Sequence, residues 1–147
     1  MIQLSILFGS SLQTPKDFLG YDLGDKFTFH HDAVFYFKHV SEISGHIELV
    51  EYGETYEGRP LIASIIKHPN NDRSFEQIRI QHLISSGLNT GDKIGGDLAV
   101  VWLSYSVHGN ESSSMEAAIK TLHSFADTTN SKQMQWLEKV IVIIDPC

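Results

Sequence analysis

Two runs without polar alternation constrain this chain most: LAVVWLSYS at residues 98–106 and KVIVIIDPC at residues 139–147. A strand with one wet face alternates apolar and polar side chains, whereas a strand covered on both faces reads as an unbroken apolar run. Both segments therefore predict central strands with helices packed over them. The second stops at Asp145 and Pro146, as buried strands often stop at a loop that carries function.

The intervening sequence supplies the helices. In DAVFYFKHVSEIS, residues 32–44, the apolar Val34, Phe37, Val40 and Ile43 recur at helical spacing and Gly45 supplies a stop. The run IELVEYGETYEGRPLIASII, residues 47–66, reads as a hairpin: two β-rich stretches around a turn region, with Gly58 and Pro60 as breakers and Leu61 to Ile66 as a buried strand. After the loop HPNNDRS, the segment FEQIRIQHLISSG predicts a helix with Phe75, Ile78 and His82 on one side, and GLNTGDKIGGD is a turn or loop. SSSMEAAIKTLHSFA, residues 112–126, places Met115, Ala118, Leu122 and Phe125 on one helical face behind a serine-rich start suited to capping. Residues 14–28 are rich in Gly, Asp and aromatics without a period, which predicts an irregular ordered segment whose aromatics pack on the body. The order helix, hairpin, helix, strand, helix, strand is an α/β plan: a mixed, mostly buried sheet flanked by helices. It is expected to be incomplete, because a central strand is normally followed by a further loop and helix.

Composition narrows the partners. With 147 residues, 41% of them hydrophobic, the chain has the size of one domain or part of one. Eleven Lys and Arg against eighteen Asp and Glu leave a formal charge of -7, and no stretch gathers the basic residues into a stripe, which argues against nucleic acid. Cys147 is the single cysteine, so no internal disulfide can form. No run approaches the roughly 18 apolar residues of a membrane-spanning helix, so a soluble protein without a membrane partner is expected. The start, MIQLSILFGSSLQ, is an apolar run followed by small residues, but lacks a positively charged beginning. Two readings stay open for residues 1–13: the remnant of a secretory signal peptide, which implies a secreted or periplasmic protein, or an ordinary first strand or leader.

The chemistry gathers where the first apolar run ends. In VWLSYSVHGNESSS, His108 and Glu111 follow a strand and precede a helix, where open α/β sheets place their ligands. A three-residue separation lets both side chains turn toward one point if a helical turn begins between them, and Gly109 allows the tight turn this needs. Imidazole nitrogen and carboxylate oxygen are ordinary zinc ligands. The bland alternative is a histidine that only hydrogen-bonds and a glutamate favoured by the helix dipole.

The context HGNESSSMEAA resembles the first zinc-binding segment of the M14 zinc carboxypeptidases, and VEYGETYEGRPL resembles the hairpin that precedes that segment in the same family. FLGYDLGDKFTFHHDAVFYFKHV is similar to the entry of the peptidase domain in secreted bacterial members, so the likeness runs from Thr14 to Cys147. It implies that residues 14–147 are the N-terminal portion of an M14 catalytic domain, truncated at the C-terminus. By the same likeness His108 matches the first histidine ligand and Glu111 the glutamate ligand of one Zn²⁺. Asn110 stands where other members often carry Arg, and Glu57 and Arg59 are read as an ion-paired or hydrogen-bonded turn.

The family's second histidine ligand, its substrate-binding Asn and Arg, a Tyr and the general base Glu all lie downstream of the last strand, so no catalytic residue is expected within this chain. None of His30, His31, His39, His46, His68, His82 or His123 is positioned by sequence as the missing ligand. His30 and His31 read as a helix entry, and Asp145 is left without a role. The resemblance implies hydrolysis of peptide bonds at the C-terminus of a peptide or protein substrate by the full-length domain, with the 147-residue chain alone binding zinc weakly and inactive. Two alternatives remain: an N-acyl amino acid amidohydrolase of the aspartoacylase and succinylglutamate desuccinylase type, which shares HGNE but lacks the YEGRPL hairpin, and a non-catalytic fragment or pseudoenzyme. A truncated sheet is also expected to expose a strand edge and an apolar face.

Overall fold

The computed structural model describes residues 11–93, 96 and 98–146. Cys147 and residues 1–10, which include most of the leader discussed above, lie outside the described residues. In chain order the elements are α1 (Pro15–Leu19), α2 (His30–Ile43), β1 (Ile47–Glu54), β2 (Pro60–Ile66), α3 (Phe75–Ser85), β3 (Ala99–Ser104), α4 (Ser113–Ala126), α5 (Ser131–Leu137) and β4 (Val140–Asp145).

The four strands form one mixed sheet in the order β1-β2-β4-β3. β1 and β2 pair antiparallel as the expected hairpin, with an irregularity between Glu51 and Gly53. Its turn is closed by a hydrogen bond from the Thr55 amide to the Arg59 carbonyl at 2.9 Å, and Gly58 has φ 73, a conformation that a Cβ would strain. β4 pairs antiparallel with β2 and parallel with β3, so α4 and α5 form the crossover between the two parallel strands.

Alternation along the strands sends side chains to two faces. Ile62, Ile66, Val142 and Ile144 join the main core with Val34, Tyr36, Phe37 and Val40 of α2 and Ala118, Ile119, Leu122 and Phe125 of α4. Ile141 turns the other way and packs with Leu98 and Ile78 of α3, flanked by Ile65 and Phe75. The sheet thus carries helices on both faces, and of the helical stripes read from the sequence Val34, Phe37, Val40, Ile78, Ala118, Leu122 and Phe125 are buried, while Ile43, Phe75, His82 and Met115 are half-buried.

Four local expectations are corrected. The unbroken apolar run predicts a central strand, yet β3 is one edge of the described sheet: Val100, Val101 and Trp102 are 46%, 40% and 60% exposed, because no described strand pairs with its outer side. The aperiodic segment after Thr14 contains a helix, α1. Thr14 accepts a hydrogen bond from the Asp17 amide, Pro15 opens the helix, and Gly20 closes it with φ 77, so capping chemistry prevails over a length too short for periodicity. α2 begins at His30, two residues before the expected Asp32, which puts His30 and His31 in its first turn. Ser112 precedes α4 without making a side-chain cap, because its own backbone is already helical at φ -59, ψ -29. α5, capped by Asn130 accepting from the Gln133 amide, had no counterpart in the sequence reading.

Candidate metal centre

β3 continues for one residue beyond its last paired side chain. The Tyr105 amide donates to the Asp145 carbonyl at 2.8 Å, extending the parallel ladder, and the Tyr105 hydroxyl meets Thr121 Oγ1 of α4 at 3.0 Å. The chain then turns sharply. Ser106 has φ 51, the one non-glycine residue with positive φ among the described residues, and its amide donates to Ser114 Oγ at 2.8 Å. A left-handed residue with a Cβ costs about 1–2 kcal/mol. A hydrogen bond returns about 0.5–1.5 kcal/mol. The bond to Ser114 is therefore of the right size to offset the strain.

His108 and Glu111 follow within this turn. The Glu111 amide donates to the His108 carbonyl at 2.9 Å, and the Ser114 amide donates to the Glu111 carbonyl at 3.1 Å, leading directly into α4. Both residues are exposed, and neither side chain hydrogen-bonds or ion-pairs with a described residue. Gly109 departs from expectation. It does not adopt positive φ, and a Cβ there would meet nothing within 4 Å. The residue that makes the turn is Ser106, for which the sequence carried no signal, since serine is not a habitual left-handed residue.

A catalytic zinc takes three protein ligands and keeps one position open. The free imidazole and free carboxylate of one turn fit two of those three positions by donor chemistry. No group of three or more His, Cys, Asp or Glu placed to hold a metal occurs among the described residues. Six of the other seven histidines have polar partners elsewhere. His30 Nε2 donates to the Pro60 carbonyl at 3.1 Å, and burial holds its pKa below the ordinary value. His31 Nε2 lies 3.3 Å from Asp32 Oδ1 and its ring stacks on Phe29, and His39 Nε2 accepts from the Gln13 amide at 3.1 Å. His46 Nε2 donates to the Phe125 carbonyl at 3.0 Å, and His68 Nδ1 accepts from the Asn70 amide at 3.1 Å. His82 Nε2 is buried without a partner. His123 Nδ1 meets the Tyr36 hydroxyl at 2.8 Å, with its pKa lowered by burial.

Two further residues have clear structural positions. Arg59 ion-pairs with Glu57 at 2.6 Å across the hairpin turn, as read from the sequence. Asp145 is buried at the end of β4, where its carboxylate accepts from the Tyr52 hydroxyl at 3.1 Å while its carbonyl holds Tyr105. It joins β1 to the base of the turn that bears His108. A cleft of about 510 Å³ lies between the start of α2 and the hairpin turn, lined by Phe29, Phe35, Lys38 and Arg59 among others, and His108 and Glu111 do not line it.

The family model Peptidase_M14, described as zinc carboxypeptidase, matches residues 35–147. Among solved structures, the chain is similar to the carboxypeptidase A from Helicoverpa armigera, with a TM-score of 0.58 and 18% sequence identity. The match covers 83% of this chain and 24% of that one, so the chain spans about a quarter of the length of this relative. At that identity the likeness is one of fold. A search of curated proteins finds no match.

Proposed function

This chain belongs to the zinc carboxypeptidase family, and from that premise we propose that it is the N-terminal, metal-binding portion of a peptidase domain that releases C-terminal residues from peptides. The observation that carries the reading is the pair of unpartnered donors, His108 and Glu111, set on one turn directly after β3. Crevices beyond strand ends are where open α/β sheets carry their chemistry.

In this reading His108 and Glu111 hold one zinc ion, together with a third ligand contributed from outside the described residues. When bound, zinc supplies Lewis acidity toward a peptide carbonyl and a water. The part of this chain is to hold an imidazole and a carboxyl group ready on a turn anchored at both ends. Tyr105, bonded to β4 and α4, fixes the entry; Ser114 fixes the exit. The general base and the groups that recognise the substrate carboxylate also come from outside this chain, so the 147 residues alone bind zinc weakly and hydrolyse nothing. The apolar leader supports export to the periplasm or the medium.

The test is hydrolysis of blocked dipeptides with free C-termini, and of an N-acyl amino acid, by the full-length protein. Release of the C-terminal residue, abolished by a chelator and by His108→Ala, is the expected result. Activity that survives both treatments, or cleavage of the acyl amino acid in place of the peptide, rejects the proposal.

A further inference from the structure

The serines after Glu111 first suggest a helix cap, but Ser112 makes none. Ser114 has a different task. The ladder between β3 and β4 ends with the Tyr105 amide, so the Ser106 amide has no strand partner. The chain must leave the sheet at this point, and it does so through a left-handed residue, φ 51, in a partly buried position. Ser114 Oγ takes that amide at 2.8 Å across eight residues. The same residue's amide donates to the Glu111 carbonyl at 3.1 Å. One serine therefore closes both ends of the loop that bears His108 and Glu111.

We propose that Ser114 is a positioning residue for the metal donors: through Ser106 it holds the 106–114 loop in the one closed form in which His108 and Glu111 are presented together. The inference rests on the reading of these two residues as zinc ligands. Its physical basis is preorganisation. A loop free at one end spreads its two donors over many conformations, and a metal must then select the few in which both face it, which lowers the apparent affinity by the fraction populated. Ser114 lies on the first turn of α4, whose inner face is held in the core by Ala118, Ile119 and Leu122. The clamp is thus anchored to a helix packed into the main core and needs no contact with the metal.

The experiment uses Ser114→Ala, Ser114→Thr and Ser106→Gly in the full chain, with two readouts. Amide hydrogen exchange follows Ser106 itself, and titration with zinc chloride follows the His108 ring resonances by NMR. Ser114→Ala should speed exchange at Ser106 by at least about tenfold and weaken zinc binding by at least about threefold, while exchange in the core of α4 stays as in the wild type. Ser114→Thr keeps the hydroxyl and should restore both. Ser106→Gly keeps the amide and relieves the left-handed strain, so both readouts should stay near wild type. Unchanged exchange at Ser106 in Ser114→Ala overturns the clamp. Faster exchange with unchanged zinc affinity overturns positioning and leaves a purely structural bond. A wild-type chain whose His108 resonances do not respond to zinc at all rejects the zinc reading itself, and the exchange readout still decides whether the clamp exists.

Discussion

Glu116 shows how much a single buried contact contributes to this fold. It lies on the first turns of α4, only 9% exposed, and its Oε1 accepts the Thr28 amide at 2.7 Å across 88 residues of sequence. Thr28, itself 8% exposed, belongs to the irregular segment between α1 and α2, within which the Tyr21 hydroxyl donates to Thr28 Oγ1 at 2.9 Å. Replacing Glu116 by alanine removes a charge-assisted hydrogen bond, worth about 1.5–3 kcal/mol, and leaves a buried amide without an acceptor. Part of that loss is returned, because Glu116 Oε2 is buried without any partner and its desolvation disappears with the side chain. The net expectation is a loss of about 2–3 kcal/mol, or roughly 5–10 °C in the thermal midpoint for a chain of this size. Glu116→Gln keeps the accepting oxygen and replaces the orphaned carboxylate oxygen with an uncharged amide, so it should lie within about 1 kcal/mol of wild type. Urea unfolding of the three proteins, with amide exchange at Thr28 as a local probe, separates the effects. Equal losses for the alanine and glutamine variants would refute the reasoning, because the charge and not the acceptor would then be holding the segment.

Tyr36→Phe removes the hydroxyl that meets His123 Nδ1 at 2.8 Å and the Gln13 carbonyl at 3.2 Å, and should cost about 1–2 kcal/mol in urea unfolding, with a change below 0.3 kcal/mol contradicting it. His30 and His123 both have folded-state pKa values lowered by burial, so the unfolded chain takes up protons more readily. Their contribution is complete above the ordinary histidine value of about 6.5 and falls as pH drops from there toward the lower folded values. The unfolding midpoint should therefore decrease between about pH 7 and pH 5, and His123→Gln should flatten that slope. Trp102→Lys, on the exposed edge strand, should reduce concentration-dependent association in light scattering while leaving the thermal midpoint nearly unchanged; a large loss of stability would mean that Trp102 is packed. Gly58→Ala, at φ 73 in the hairpin turn, should destabilise by about 1 kcal/mol in the same urea assay.

The sequence was most legible where one covalent period repeats. Val34, Phe37 and Val40 on α2 and Ala118, Leu122 and Phe125 on α4 announce the faces that meet over the sheet, and they are buried there. The hairpin was legible for the same local reason, since Gly58 and Pro60 act on their own backbone. The pair His108 and Glu111 could be selected because their spacing and the strand before them lie within a few residues. α1 and α5 escaped because five and seven residues are too few for a period to register, and only their caps, Thr14 and Asn130, announce them.

An unbroken apolar run specified that residues 99–104 would form a strand, but not which neighbour would lie beside it. Hydrophobicity records what a strand can bury, while position in the sheet depends on segments distant in sequence. The same division separates the donors from their support. The residue types and spacing of His108 and Glu111 were determined by the chain itself, as were the core faces of its helices. The left-handed Ser106, its bond to Ser114, and the Glu116 anchor on Thr28 were decided only by tertiary packing, because each joins groups that covalent neighbours cannot bring together.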